Sequence, residues 1–195
     1  MTGSADAGEE IKVPIPVKVV VAGGYAVGKT TFVGSISEIT PLTTEAAMTT
    51  VSDGVDDAGL ASQSKTSTTV AMDFGRITLG RSDLILYLFG TPGQERFHFM
   101  WDELVRGAIG AVVLVDTGRL RDCFAAVDYF EARKLPFVVA VNCFNGAVLH
   151  PLEAVREALN ISAEIPMFHT DARVRGATRD ALLALVQHAL VRSRG

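Results

Sequence analysis

The segment Gly23-Gly24-Tyr25-Ala26-Val27-Gly28-Lys29-Thr30 satisfies the pattern GxxxxGK(S/T), and each residue type in it has a definite chemical use. Glycines at 23 and 28 let the backbone curl so that successive N–H groups point inward at phosphate oxygens, and the helix that follows adds its positive end. Lys29 brings a point charge to the β and γ phosphates, and the Thr30 hydroxyl a ligand for Mg²⁺. The flanking residues fit this use. Val17-Lys18-Val19-Val20-Val21 is β-branched and of buried-strand length, whereas Thr31-Phe32-Val33 can continue as a helix. A strand handing over to a helix through such a loop predicts polyphosphate binding rather than an ordinary glycine turn.

The rest of the chain supplies a scaffold for that loop. Its 195 residues, 48% of them apolar, are enough for one domain with a full core. A net charge of −4 with no basic stripe argues against nucleic acid as a partner. Residues 1–15 are small and acidic and are expected to be a disordered segment rather than a signal or transit peptide. Apolar runs are strand-sized, no lipidation signal is present, and two cysteines suit a reducing compartment. The expectation is a cytoplasmic chain with no direct membrane anchor.

From Pro41 to about Ser67 a Thr-, Ser- and Asp-rich stretch reads as a long loop, with Asp53, Asp56 and Asp57 as solvated charges. Residues 69–79 and 83–89 then read as a hairpin turning near Gly80. Helices over 95–106, 118–134, 151–160 and 177–192 alternate with strands over 109–115, 136–142 and 165–169. The pattern predicts an α/β, three-layer P-loop NTPase fold, a mostly parallel six-stranded sheet with one antiparallel edge strand. Ligands of such sheets sit beyond the carboxyl ends of the strands.

Gly90-Thr91-Pro92-Gly93-Gln94-Glu95-Arg96-Phe97 falls at one of those ends. With the phosphate loop, it makes residues 16–195 resemble the Ras-like small GTPases, whose segment reads Asp-Thr-Ala-Gly-Gln-Glu-Arg-Phe. More narrowly, the chain is similar to the bacterial MglA type and to the conservon-type GTPases encoded in actinobacterial operons beside a roadblock-fold protein. The resemblance implies a switch that binds GTP or GDP with Mg²⁺ and hydrolyses GTP slowly. It also implies a roadblock-fold regulatory partner and a sensor-kinase-like complex. Phosphates would be held by Gly23, Gly24, Tyr25, Ala26, Val27, Gly28, Lys29, Thr30 and Thr31, with Gly93 donating its N–H to the γ phosphate. Gln94 would orient the attacking water, Lys29 would stabilise transferred charge, and Thr69 would close with Thr30 on the metal. Thr66 and Thr68 rival Thr69. The base would meet Asn142, Cys143 and Asn145, then Asp171, Ala172 and Arg173, with the Ala172 N–H donating to guanine O6.

Four departures from the family pattern bear on function. Gly90 stands where an aspartate holds water of the Mg²⁺ shell, so metal binding should rest on Thr30 and phosphate oxygens. Tyr25 is bulky where glycine is usual, which predicts slow hydrolysis. Ala26 replaces a second glycine, and its methyl either is tolerated there or disfavours a positive φ. Asn145 replaces the aspartate that accepts two hydrogen bonds from guanine, and its NH₂ would suit xanthine instead. A nucleotide-gated binding module without useful turnover, or a P-loop protein preferring XTP or ATP, is therefore an alternative. Phe97, Phe99, Met100 and Trp101 read either as a partner surface or as helix core, with core the reading for Phe99.

Overall fold

The computed structural model describes residues 14–50, 66–79 and 84–194. The expected disordered segment, apart from Pro14 and Ile15, and Asp53, Asp56 and Asp57 lie outside the described residues. Strand β1 (Ile15–Gly23) runs into the phosphate loop and then helix α1 (Lys29–Ile36). There follow β2 (Leu42–Thr50), β3 (Thr66–Leu79), β4 (Leu84–Gly90), α2 (Trp101–Val105) and β5 (Ala108–Val115). The chain ends with α3 (Arg121–Ala132), β6 (Phe137–Asn142), α4 (Leu152–Ala158), β7 (Met167–Thr170) and α5 (Arg175–Arg192).

The sheet order is β2-β3-β4-β1-β5-β6-β7. Strand β1 lies parallel to β4 and β5, and β5-β6-β7 continue in parallel. Parallel central strands are covered on both faces, which is why β5 and β6 are nearly continuous runs of Val, Ala, Leu and Phe. One face packs Phe32, Val33 and Ile36 of α1 with Leu182 and Leu185 of α5 over Val19, Val21 and Leu114. The other packs Trp101, Val127 and Phe130 over Val20, Val113 and Val139. These are the three layers expected from the alternation of strand and helix.

The hairpin expected over residues 69–89 forms, with β3 antiparallel to β4. Beyond it the sheet gains a seventh strand, because Leu42–Thr50, read above as loop, pairs antiparallel with β3. This outer strand bonds on one side only and is rich in threonine, which favours extended backbone without any apolar period. The segment after β4 also differs from a plain helix, since Glu95–Met100 is a 3₁₀ turn leading into the short α2. Within β3, Asp73, Gly75, Ile77 and Leu79 are the buried phase of the alternation. An acid thus heads a row that is otherwise apolar or small.

Candidate functional site

The phosphate loop sits at the carboxyl end of β1, where connections leave for opposite sides of the sheet, the usual crevice of a doubly wound fold. Gly28 takes φ +105°, a left-handed backbone that glycine adopts without strain, and so starts α1 in line with the cleft. Ala26 takes φ +55°, so its methyl group is tolerated at a positive φ here. A cleft of about 310 Å³ opens above the loop, lined by Tyr25, Ala26, Gly28, Lys29, Thr30, Thr31, Asp73, Thr91 and Gly93. Lys29 donates to the carbonyls of Gly23 at 3.0 Å and Gly24 at 2.6 Å. Burial pulls its amine down to about 8, partly countered by the charge of Asp73. A larger apolar groove of about 550 Å³ lies at the far ends of the strands, between Val17, Leu84, Ile109 and the end of α5. It contains none of the phosphate-loop residues.

Sequence reasoning missed the acid of this cleft. Thr30 donates from Oγ1 to Oδ2 of Asp73 at 2.7 Å, although 43 residues separate them. The reason for Gly90 is now visible: a Cβ there would lie 3.1 Å from Asp73 Cβ and 3.2 Å from its Oδ2. An aspartate at 90 and one at 73 compete for one volume, and this chain carries the carboxylate on β3. A carboxylate thus stands beside Thr30 although position 90 carries none. Thr91 adds a second donor, being 2% exposed with an Oγ1 that has no hydrogen-bond partner among the described residues. The Thr30 and Thr91 hydroxyls and the Asp73 carboxylate are hard oxygen donors, which suits Mg²⁺ completed by phosphate and water. Thr69 lies in β3 opposite Ala47, and its side chain falls outside what the structure describes.

Gly93 closes over the loop, so near that a Cβ on it would stand 2.6 Å from Lys29 Nζ. Tyr25 is 60% exposed at the rim. Beyond Tyr25 and Gly93 lies a second cleft of about 200 Å³, and Gln94 lines that one. Trp101 is buried and donates from Nε1 to the Pro92 carbonyl at 3.3 Å, anchoring the loop to the core. Phe97 is buried too, whereas Phe99, read as core, is 61% exposed. The 3₁₀ turn faces Phe97 and Trp101 inward and leaves Phe99 between them outward.

At the other end of the phosphate loop, Asn142 donates from Nδ2 to the Val27 carbonyl at 2.9 Å and accepts from the Ala172 N–H at 3.1 Å. One side chain thus ties the loop after β1 to the loop after β7. The Ala172 N–H assigned to guanine O6 is already engaged in this bond. A cleft of about 80 Å³ lies here between Gly28, Thr31, Asn142, Phe144, Asp171, Ala172 and Arg173. Phe144 takes the apolar wall, while Cys143 is buried with its thiol 3.7 Å from the Val141 carbonyl. Arg173 donates to both carboxylate oxygens of Asp171 and, through Nη1, to Oδ1 of Asn145 at 2.7 Å. These bonds hold the Asp171 carboxyl down at about 2. Asn145 itself takes φ +58° and does not line the cleft. In the phosphate cleft and the cleft beside Asn142, Asp73, Thr91 and Phe144 are the lining residues absent from the sequence-based set. The buried phase of β3 was the available signal for Asp73.

Comparison with known proteins gives a family and a fold. The family described as conserved hypothetical ATP binding proteins matches residues 21–192. An uncharacterized protein of Methanocaldococcus jannaschii is 30% identical over 128 residues, 65% of this chain and 69% of that protein. Among solved structures, the cytosolic domain of the T. maritima FeoB iron transporter in apo form superposes with a TM-score of 0.62 at 16% identity, over 90% of this chain. Its GDP form I gives 0.64 at 16% identity over 91%. The chain spans 64% and 65% of those two FeoB chains, and at that identity the likeness concerns the fold.

Proposed function

Within the family of conserved hypothetical ATP binding proteins, to which this chain belongs, we propose that it serves as a guanine-nucleotide switch. In this reading it binds GTP or GDP with Mg²⁺, hydrolyses GTP slowly and signals through the loop after β4. The observation that carries the choice of base is Asp171. An ionised carboxylate lining the cleft beside Asn142 and Phe144 offers acceptors to the adjacent ring N–H and amine of guanine. Adenine presents no such pair of donors. In this reading the base-reading acid stands in the loop after β7 rather than in the loop after β6, where Asn145 stands.

Catalytic roles follow from the cleft. Loop N–H groups and Lys29 hold the phosphates, which requires Lys29 to exchange the Gly23 and Gly24 carbonyls for phosphate oxygens. Thr30 and Asp73 would hold Mg²⁺, with Thr91 in reach, and the metal would offset charge developing between the β and γ phosphates. Gln94 orients water once it enters this cleft. Tyr25 borders that entry, and a roadblock-fold regulator, or a sensor-kinase-like complex, would act on Tyr25 and on the exposed Phe99 of the turn that follows. Among the described residues no helix is long and apolar enough to cross a membrane.

A second reading is favoured by the bond between Arg173 and Asn145. A guanidinium only donates, so the atom it meets is the amide oxygen, and the NH₂ of Asn145, which stands outside the cleft lining, is the group that would turn to a ligand. A donor there suits the carbonyl of xanthine. Mass measurement of the nucleotide extracted from purified protein, with competition among GTP, ATP and XTP for native protein and Asn145→Asp, separates the readings. Preference for GTP in the native protein supports the guanine switch. Preference for ATP or XTP refutes it.

A further inference from the structure

We infer that Arg96 is a positioning residue that parks Gln94 away from the phosphate cleft and so sets the slow turnover of this protein. The inference rests on the proposed hydrolysis. Arg96 donates from Nε to Oε1 of Gln94 at 2.8 Å. Because a guanidinium has no acceptor, the bonded atom is the amide oxygen, the same atom that must accept a hydrogen bond from an attacking water to orient it. The guanidinium is itself steadied, with its carbon 4.9 Å from the ring centre of the buried Phe97.

The place of the parked side chain is as informative as the bond. Gln94 lines the cleft that also holds Arg121 and Asp122, whereas Lys29, Thr30 and Asp73 line the other. Tyr25 and Gly93 border both and form the wall between them. To reach a water on the γ phosphate, the Gln94 amide must break its bond to Arg96 and pass Tyr25. Exposed charge-assisted bonds are weak enough to be broken by a partner yet strong enough to bias a side-chain population. Such a brake accounts for a chain that keeps both Lys29 and Gln94 while hydrolysing slowly.

Single-turnover hydrolysis of GTP with Mg²⁺, measured for native protein, Arg96→Ala, Arg96→Lys, Gln94→Ala and the double variant Arg96→Ala/Gln94→Ala, tests this. The expected result is a rate about three- to tenfold above native for Arg96→Ala, with Arg96→Lys in between and nucleotide affinity unmoved. The double variant should be as slow as Gln94→Ala. Nuclear magnetic resonance of the Gln94 side-chain amide should show lower order in Arg96→Ala than in native protein. A rate for Arg96→Ala equal to or below native overturns the inference, as does a double variant as fast as Arg96→Ala. If Gln94→Ala is slower than native while Arg96→Ala is not faster, the brake alone fails. If every variant is inert, the hydrolysis reading fails and the brake with it.

Discussion

Replacing Asp73 by asparagine removes a charge while keeping an oxygen for the 2.7 Å bond from Thr30, so fold and metal chemistry are perturbed unequally. A neutral hydrogen bond in place of a charge-assisted one costs about 1 kcal/mol of stability, a fall of ~2–4 °C in Tm for a domain of this size. The metal term is larger. Unit charges about 4 Å apart at an effective dielectric near 20 interact by about 4 kcal/mol, and solvent around the exposed side of Thr30 takes part of that away. The half-saturating Mg²⁺ concentration for GDP binding should therefore rise roughly 10- to 100-fold, about 1.4–2.8 kcal/mol. Displacement of a fluorescent GDP analogue, titrated with Mg²⁺ and repeated in chelator, reads it directly. Native and variant proteins should agree within about threefold in chelator and separate as Mg²⁺ is added. A ratio of affinities that is the same with and without Mg²⁺ would refute the assignment and leave Asp73 as a brace for Thr30.

Other outcomes follow from the same geometry. Asn142→Ala leaves the Val27 carbonyl and the Ala172 N–H without their shared partner, and chemical denaturation should show a loss of about 2–4 kcal/mol. Burial holds Lys29 at about 8, below its ordinary 10.5, so its charged form costs stability below that pH and the cost fades as pH rises. Phosphate restores the charge, so nucleotide affinity should be nearly flat below about pH 7 and fall by up to tenfold per unit above 8, measured by calorimetry across pH 6 to 9. Trp101→Ala empties a buried site and frees the Pro92 carbonyl, and should cost ~3–5 kcal/mol by thermal unfolding. Asp171→Asn should reduce preference for GTP over ITP, which lacks the guanine amine, by about tenfold in competition binding.

Those features of the site that are local in sequence were legible in it. The phosphate loop, the hairpin of β3 and β4 and the buried strands β5 and β6 declare themselves through glycine spacing and unbroken apolar runs. Asp73 did not, because its meaning depends on which strand lies beside β4, and that neighbour is fixed by sheet order rather than by any motif. Strand β2 was hidden for a related reason: an edge strand of threonine-rich sequence carries no apolar alternation to announce it. The base end was half legible. The type change at Asn145 was plain, but its attachment to Arg173 joins two loops that only the parallel β6-β7 pairing brings together. Phe99 was misread because a 3₁₀ turn has three residues per turn where an α-helix has 3.6, and the outward residue shifts accordingly.

Moving the metal-side acid from β4 to β3 changes what a cation would pull on. An acid at position 90 would load the segment that leads directly to Gly93 and Gln94. Asp73 instead belongs to the strand that carries β2 on its outer edge, where Thr43 pairs with Asp73 itself. Tension at the metal would pass sideways into this two-stranded ribbon at the edge of the sheet. The nucleotide state would then be legible from the outer edge of the molecule as well as from the loop around Gln94, giving two separate places at which partners could sense it.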